Sequence, residues 1–334
     1  MWPLLRQLEA IMIDTINSKT SVYDKLIGVT DEYRYENSSV RDCILNQENF
    51  ISTKYGNLIP KYGAEEVRRK YTPSLSFYES GAVKSISLEK QTDIITPLGT
   101  FPADLVTFYE SGVIKRLFPL NGKITGYWTE ADEEKLCQEF QFRFPFGSFH
   151  VKIISLNFYE NGNLKSMTLW PGESIILRTE LGLLPVRIGF SLYEDGKIKS
   201  IEPTYEIELA TPIGNIKTYD ENALGICGDS NSLCFKKNGS IHSITTFSSK
   251  IVIVSKDGLL ETFEPVVKPD PLEEDHLVIV PLKITFENHQ VKFEGEETRT
   301  YDINTTKFTV ANDEMLKSSA SFSCGDCSSC SLCK

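Results

Sequence analysis

Cys324, Cys327, Cys330 and Cys333 stand at intervals of three residues in a segment that reads SFSCGDCSSCSLCK. Thiolates are soft ligands, and four of them can complete the tetrahedral shell of Zn²⁺ or hold an iron–sulfur cluster. The spacing separates the possibilities. Zinc ribbons and fingers place two short cysteine pairs on separate knuckles, about 12–20 residues apart, whereas only Ser328 and Ser329 part the two pairs here. Small residues between the thiols suit a pliable strand that folds around a soft ion, so these four cysteines are the candidate metal ligands. A thiol segment handed to another protein for redox chemistry or modification is the second reading, and a segment without a defined role is the third.

The first three cysteines resemble the C-x2-C-x2-C run of bacterial-type ferredoxins, which wraps an iron–sulfur cube. That run continues with three residues, a fourth cysteine and proline; this one continues Ser331-Leu332-Cys333. The resemblance implies an iron–sulfur cluster, or another thiophilic metal, as the cofactor.

The rest of the chain offers little recognisable chemistry. It holds no dinucleotide or phosphate loop, no H-E-x-x-H and no G-x-S-x-G. The segment GDSNSL at Gly228 has the look of an esterase nucleophile block, but it sits between β-like runs, and triad chemistry needs a positioned histidine. The histidines are His150, His242, His276 and His289. Ser230 is therefore read as a turn residue. Cys43, Cys137, Cys227 and Cys234 are scattered and are read as small buried apolar residues. A net charge of −11 opposes a nucleic-acid partner, which needs a clustered positive surface. No apolar run reaches the roughly 18 residues of a membrane span. Glu9 and Asp14 interrupt the region where a signal core would run, so a cytoplasmic address is expected, where thiols stay reduced.

The elements that would carry the thiol segment follow from internal similarity. SFYESGAVKSISL begins at Ser76, TFYESGVIKRLFP at Thr107, NFYENGNLKSMTL at Asn157, SLYEDGKIKSIEP at Ser191 and CFKKNGSIHSITT at Cys234. Three residues after the glycine comes Lys84, Lys115, Lys165, Lys199 or His242, each preceded by Val, Ile or Leu. Degraded copies follow Arg34, Ser255 and Thr285, with Ser38 in the glycine place of the first. Each copy reads as an antiparallel hairpin whose Asn-Gly or Asp-Gly favours a type I′ turn. The neighbouring Phe and Tyr are expected on opposite faces, the lysine near the hairpin end with its stem packed and its ammonium in water. A second turn, TKYG, TPLG, FPFG, TELG or TPIG, precedes most hairpins. Two modules carry inserts, PKYGAEEVRRKYTPS and TYDENALGICGDSNS, and such inserts map to loops on one face, often the binding face. Thr129 to Leu136 reads as a short helix with Thr129 as its cap, and PVVKPDPLEEDH as a linker.

The hairpin phrase resembles MORN-type repeats in their bacterial variant form, carried best by FYENGNLKS and LYEDGKIKS. The likeness covers about ten residues per copy. Hairpin starts at Phe77, Phe108, Phe158, Leu192 and Phe235 are 31, 50, 34 and 43 residues apart, longer than a regular MORN period. The resemblance implies a mostly β, elongated or rolled array of antiparallel hairpins used for contacts. The expected organisation is an N-terminal helical segment over 1–30, a hairpin-repeat domain over 31–264, a C-terminal β capping subdomain over 265–313 and a Cys-rich tail over 314–334. The expected function is non-enzymatic binding or scaffolding toward a protein partner, with the tail ligating a soft metal. The alternatives are an enzyme acting on carbohydrate or peptide along the aromatic face, and an antitoxin- or immunity-like protein.

Overall fold

The computed structural model describes residues 21–63, 72–121, 130–223, 231–254, 260–269, 277–295 and 297–312. The described residues are mostly β, with 62% of them in strands and 2% in helices; among them the sheets are antiparallel and close into no barrel. It divides into two compact units, Met1–Gln138 with Ile154–Leu164, and Glu139–Ile153 with Lys165–Lys334. Most of the segment expected as an N-terminal helix lies outside the described residues. Within 21–30 the chain makes one 3-10 turn, Tyr23–Lys25, and then enters a strand.

The first unit holds β1 (Val29–Arg34), β2 (Val40–Leu45), the small pair β3 (Ile51–Thr53) and β4 (Gly56–Leu58), then β5 (Leu75–Phe77), β6 (Val83–Thr96), β7 (Gly99–Phe108) and β8 (Ile114–Phe118). Its ladder runs β1–β2–β5–β6–β7–β8, each step antiparallel. A single helical turn, α1 (Glu130–Glu134), follows where the acidic run predicts it; Thr129 lies outside the described residues.

The second unit opens with β9 (Glu139–Phe144) and β10 (Gly147–Phe158), whose last residues belong to the first unit and pair Leu156 with Leu117 of β8. Then come β11 (Leu164–Leu169), β12 (Ser174–Thr179), β13 (Gly182–Leu192), β14 (Ile198–Pro203), β15 (Ile207–Thr211) and β16 (Gly214–Thr218). After the second insert follow β17 (Leu233–Phe235), β18 (Ile241–Thr246), β19 (Ser249–Val254) and β20 (Leu260–Phe263). The last are β21 (Val266–Pro269), β22 (Leu277–Val280), β23 (Leu282–Glu287), β24 (Gln290–Glu294), β25 (Thr298–Asp302) and β26 (Lys307–Asn312). The main ladder is β11–β13–β14–β17–β18–β23–β24–β25. Residues 282–302 thus continue the ladder directly, and β26 pairs with β19. The stretch read as a linker contains β21, paired with β22.

The hairpin turns share one geometry, and it is not the expected type I′, which requires positive φ at both loop residues. Only the glycine takes positive φ: +81° at Gly81, +75° at Gly112, +89° at Gly162, +82° at Gly196 and +84° at Gly239, with Ser38 at +67° in the first copy. The Tyr109 N–H donates to the Val113 carbonyl at 2.8 Å and the Gly112 N–H to the Tyr109 carbonyl at 2.9 Å, and the same pair of bonds closes the turns at Tyr35, Tyr78, Tyr159, Tyr193 and Lys236. This is a three-residue loop that ends in a left-handed residue and a bulge. The register slips accordingly at Phe77, Phe108, Leu192 and Phe235. The polar residue before the glycine caps the turn: Asn161 Oδ1 accepts the Asn163 N–H at 2.9 Å, and Asp195 and Asn238 do the same for Lys197 and Ser240. That side-chain bond accounts for the Asn-Gly and Asp-Gly pairs without a type I′ turn.

The Phe-Tyr dipeptide does two jobs. Phe77, Phe108, Phe158 and Phe235 are all buried. Phe235 is followed by Lys236; in four other copies the tyrosine that begins the turn reaches to the next hairpin. Tyr35 Oη donates to the Phe77 carbonyl, Tyr78 Oη to that of Phe108, Tyr109 Oη to that of Phe158 and Tyr193 Oη to that of Phe235, each at 2.8 Å. In two copies the repeated lysine lies over its own hairpin's tyrosine, with Lys84 Nζ 5.7 Å from the Tyr78 ring and Lys115 Nζ 5.5 Å from the Tyr109 ring.

The T-x-x-G turns form a second row. Thr96 Oγ1 accepts the Leu98 N–H at 3.2 Å and donates to the Gly99 carbonyl at 2.8 Å, and Thr53, Thr179 and Thr211 repeat both bonds. The tips at Tyr55, Pro97 and Glu180 brace a hairpin turn two hairpins further along, whereas Gly214 in the last one faces Val310 of β26. The Tyr55 ring lies 6.3 Å from Phe108 and its hydroxyl accepts the Ile114 N–H at 3.0 Å. Glu180 presses on the 239 turn so closely that a Cβ at Gly239 would stand 2.1 Å from its Cγ. Long strands serve both rows: the first half of β13 pairs with β12, the second half with β11 and β14. Ile188 (φ +65°) and Gly189 (φ +147°) mark the switch, and a Cβ at Gly189 would meet the Met167 carbonyl oxygen at 2.0 Å. Thr96→Val keeps the volume and removes both hydroxyl bonds, so it should lower unfolding stability by about 1–2 kcal/mol. Denaturant midpoints measure this, and an unchanged midpoint would contradict the turn assignment.

Candidate functional site

Cys324, Cys327, Cys330 and Cys333 lie outside the described residues, as do Cys227, Ser230 and His276. Among the described cysteines, Cys43 is buried in β2 and its thiol is pushed up to about 12 by burial and then by Asp42. Cys234 and Cys137 are half-buried, and burial raises the Cys234 thiol as well. Thiols held protonated in this way are poor ligands and nucleophiles. Among the described residues no three His, Cys, Asp or Glu side chains are grouped to hold a metal ion, and no helix is long and apolar enough to cross a membrane.

The structure brings forward a residue that sequence reasoning passed over. Glu202, on β14, is fully buried, with 0% of its surface exposed. Its Oε2 accepts the Ser232 N–H at 2.7 Å, and its Oε1 accepts the Ser232 hydroxyl and the Asp220 N–H, both at 3.0 Å. Arg187 Nη2 lies 3.9 Å from Oε1, donates to the Asp220 carbonyl at 2.6 Å and stacks its guanidinium 4.5 Å from the Tyr219 ring centre. Ser200 Oγ shares a 2.6 Å hydrogen bond with Ser191 Oγ and accepts from Asn231 Nδ2 at 3.0 Å. Burial pushes the Glu202 carboxyl up to about 7, against the pull of the Ser232 and Asp220 donors and of Arg187. Asp220 is also raised by burial, and the Asn222 N–H and Arg187 hold it back.

Asp220 and Ser232 lie near the two ends of the second insert, so one carboxylate pins both of them. The first insert is held in a similar way. Glu89 Oε2 accepts the Tyr62 and Gly63 N–H groups at 2.8 and 3.1 Å, Ser87 Oγ donates to the Pro73 carbonyl at 2.8 Å, and Ser74 Oγ accepts the Leu45 N–H at 3.1 Å. A carboxyl with a near-neutral pKa has the proton affinity of a general base, but it must also reach the proton it takes. Glu202 is sealed from solvent with its oxygens engaged, and the geometry makes it a clamp. Its signal in the sequence was slight: one acid, in IKSIEP, with no motif around it. The histidines do not gather: His150, His242 and His289 sit on β10, on β18 and in the β23–β24 turn.

Compared with family models, with curated proteins and with solved structures, the chain matches none.

Glu202 titrates from an ordinary 4.5 in the unfolded chain to about 7 in the folded one. Between those values the folded state carries a proton that the unfolded state lacks, so stability falls as pH rises through that window and levels off above it. The loss is about 3 kcal/mol at ~1.4 kcal/mol per pH unit. Glu202→Gln carries no titrating proton and should flatten this slope in urea unfolding at pH 5, 6, 7 and 8; a variant with the wild-type slope would contradict the assignment.

Proposed function

We propose that this chain is a non-enzymatic binding or scaffold protein: a MORN-like array of β-hairpin repeats that holds, on a C-terminal tail, a four-thiol site for a soft metal ion or an iron–sulfur cluster. The observation that carries this reading is how the body uses its reactive side chains. The repeated tyrosines bond the next hairpin's carbonyl, Lys84 and Lys115 cover Tyr78 and Tyr109, and the buried carboxylate Glu202 grips backbone N–H groups. Groups that recur with the fold serve the fold. Cys324, Cys327, Cys330 and Cys333 follow a different periodicity and stand outside any such pattern in the sequence.

The donor set fits a thiophilic centre. Four thiolates supply the charge and softness that Zn²⁺, Fe²⁺ or a cluster requires, and the intervening Ser, Gly and Asp let consecutive cysteines turn toward one ion. When bound, the metal would supply either a fixed cross-link or a redox centre. The residues that would hold it are these four, and the cytoplasmic setting proposed for the chain keeps them reduced.

The test is anaerobic purification of the full chain and of a variant lacking residues 320–334, followed by metal and sulfide analysis and visible spectra. The full chain should carry about one metal centre and the shortened one none, with identical far-UV circular dichroism. Equal metal content in both, or none in either, would overturn the tail's role.

A further inference from the structure

The second row of turns packs against the hairpin turns and leaves grooves between them. Two of these, in the first unit, are small: about 120 Å³ beside Pro97 and Ile114, and about 270 Å³ beside Lys54 and Phe108. A third, in the second unit, is about 480 Å³, within the size range of ligand sites. Its apolar wall includes Phe146 and Phe235, both buried at their positions in the fold. Arg178, Lys197, Lys236 and Lys237 also line it, together with the carboxylates Glu180 and Asp195.

Two departures from the chain's own pattern meet at this groove. The first concerns the third residue of the T-x-x-G-type turn. Tyr55 and Leu98 are half-buried there and Phe146 and Ile213 buried, but Leu181 of TELG turns outward at 38% exposure and does not line the groove. The groove therefore lacks the apolar filling that its own turn would provide. The second concerns the turn-opening tyrosine of the hairpins, which is replaced by Lys236. Among the described residues none of the four cations pairs with a carboxylate; Lys197 Nζ donates to the Lys237 carbonyl at 3.1 Å and Lys237 lies 5.6 Å from the Tyr193 ring. With four cations against the two carboxylates Glu180 and Asp195, the lining keeps a net positive charge on a chain whose net charge is −11. Beside it, on the same β12–β13 hairpin, Ile176 and Leu183 are 62% and 65% exposed, extending an apolar surface past the groove.

We propose that this groove binds an acidic peptide segment of a partner protein, with a bulky apolar side chain entering beside Phe146 and Phe235 and flanking carboxylates meeting Arg178, Lys197, Lys236 and Lys237. The assignment rests on the reading of the body as a binding surface and names its partner chemistry. Charge complementarity selects carboxylates, the missing filling selects an apolar anchor, and the exposed Ile176 and Leu183 favour a chain longer than a small molecule. The chain's overall negative charge repels acidic peptides elsewhere, which confines them to this groove.

The test uses the full chain and a fluorescein-labelled peptide, Glu-Glu-Phe-Glu-Glu-Leu, read by anisotropy at low and physiological salt. Saturable binding is expected, weakened at least tenfold in Arg178→Glu/Lys236→Glu and retained in the charge-matched double control Lys54→Glu/Lys90→Glu, whose residues lie outside the groove. Chemical-shift mapping on the wild-type protein should move the Gly196 and Gly239 amides, which keeps the test decisive if the double variant misfolds. No binding, equal affinity for the Gln-for-Glu peptide, an equal loss in the double control, or tripolyphosphate taking the groove where the peptide does not would each overturn the assignment. Neither the probe nor the variants involve residues 320–334, so failure here leaves the metal analysis of the tail standing, and the reverse holds equally.

Discussion

The hydrogen bond from a tyrosine hydroxyl to the aromatic carbonyl of the following hairpin is the contact on which the rest of each unit depends. Each hairpin ends in a bulge, and a bulge locally disrupts the ladder. At Phe108 the register slips, and the Phe108 carbonyl receives Tyr78 Oη; Phe77 and Phe235 are met in the same way by Tyr35 and Tyr193. A point of weakness between neighbouring strands becomes a staple. Because the ring is rigid and its hydroxyl must reach one acceptor, the staple also sets how far one turn stands from the next. Lys84 and Lys115, over the Tyr78 and Tyr109 rings, shield the outer side of those two staples while keeping their charge in water.

With the turns spaced, the second row can brace them. Three of the T-x-x-G tips meet turns two hairpins further along, which ties together strands that no ladder bond joins. The grooves between the rows follow from that spacing, and their sizes follow from which side chain the tip supplies. Inserts leave the body where the rows would otherwise continue, and at both places a strand side chain holds the backbone: Glu89 with Ser87 in the first unit, Glu202 with Arg187 in the second. The clamp at Glu202 sets a buried carboxylate against desolvation, and its raised proton affinity is the physical consequence.

Much of this architecture was legible in the residues. Alternation around FYESG and FYENG marked antiparallel hairpins, and Ser38 was correctly placed as the stand-in for glycine, as its φ of +67° shows. The turn type was misread because Asn-Gly is the commonest type I′ signal; here Asn161 and Asp195 are present for their side-chain bonds to the residue after the glycine. The tyrosine staple was invisible because its acceptor is a backbone carbonyl, which no residue type announces. Glu202 was hidden for a related reason: its partners, Asp220 and Ser232, lie 18 and 30 residues away and offer mainly backbone N–H groups. The thiol segment is the opposite case. Its chemistry is evident in its residue types, and it lies outside the described residues.

The most direct test of the account is the unfolding of Tyr78→Phe, Tyr109→Phe and their double variant, with amide exchange read at the strands on either side. Each single change should cost about 1 kcal/mol, with exchange quickened around Phe108 in the first variant and around Phe158 in the second while β1 and β2 keep their protection. If both variants unfold at the wild-type midpoint with unchanged exchange at those strands, the tyrosine staples do not organise the fold.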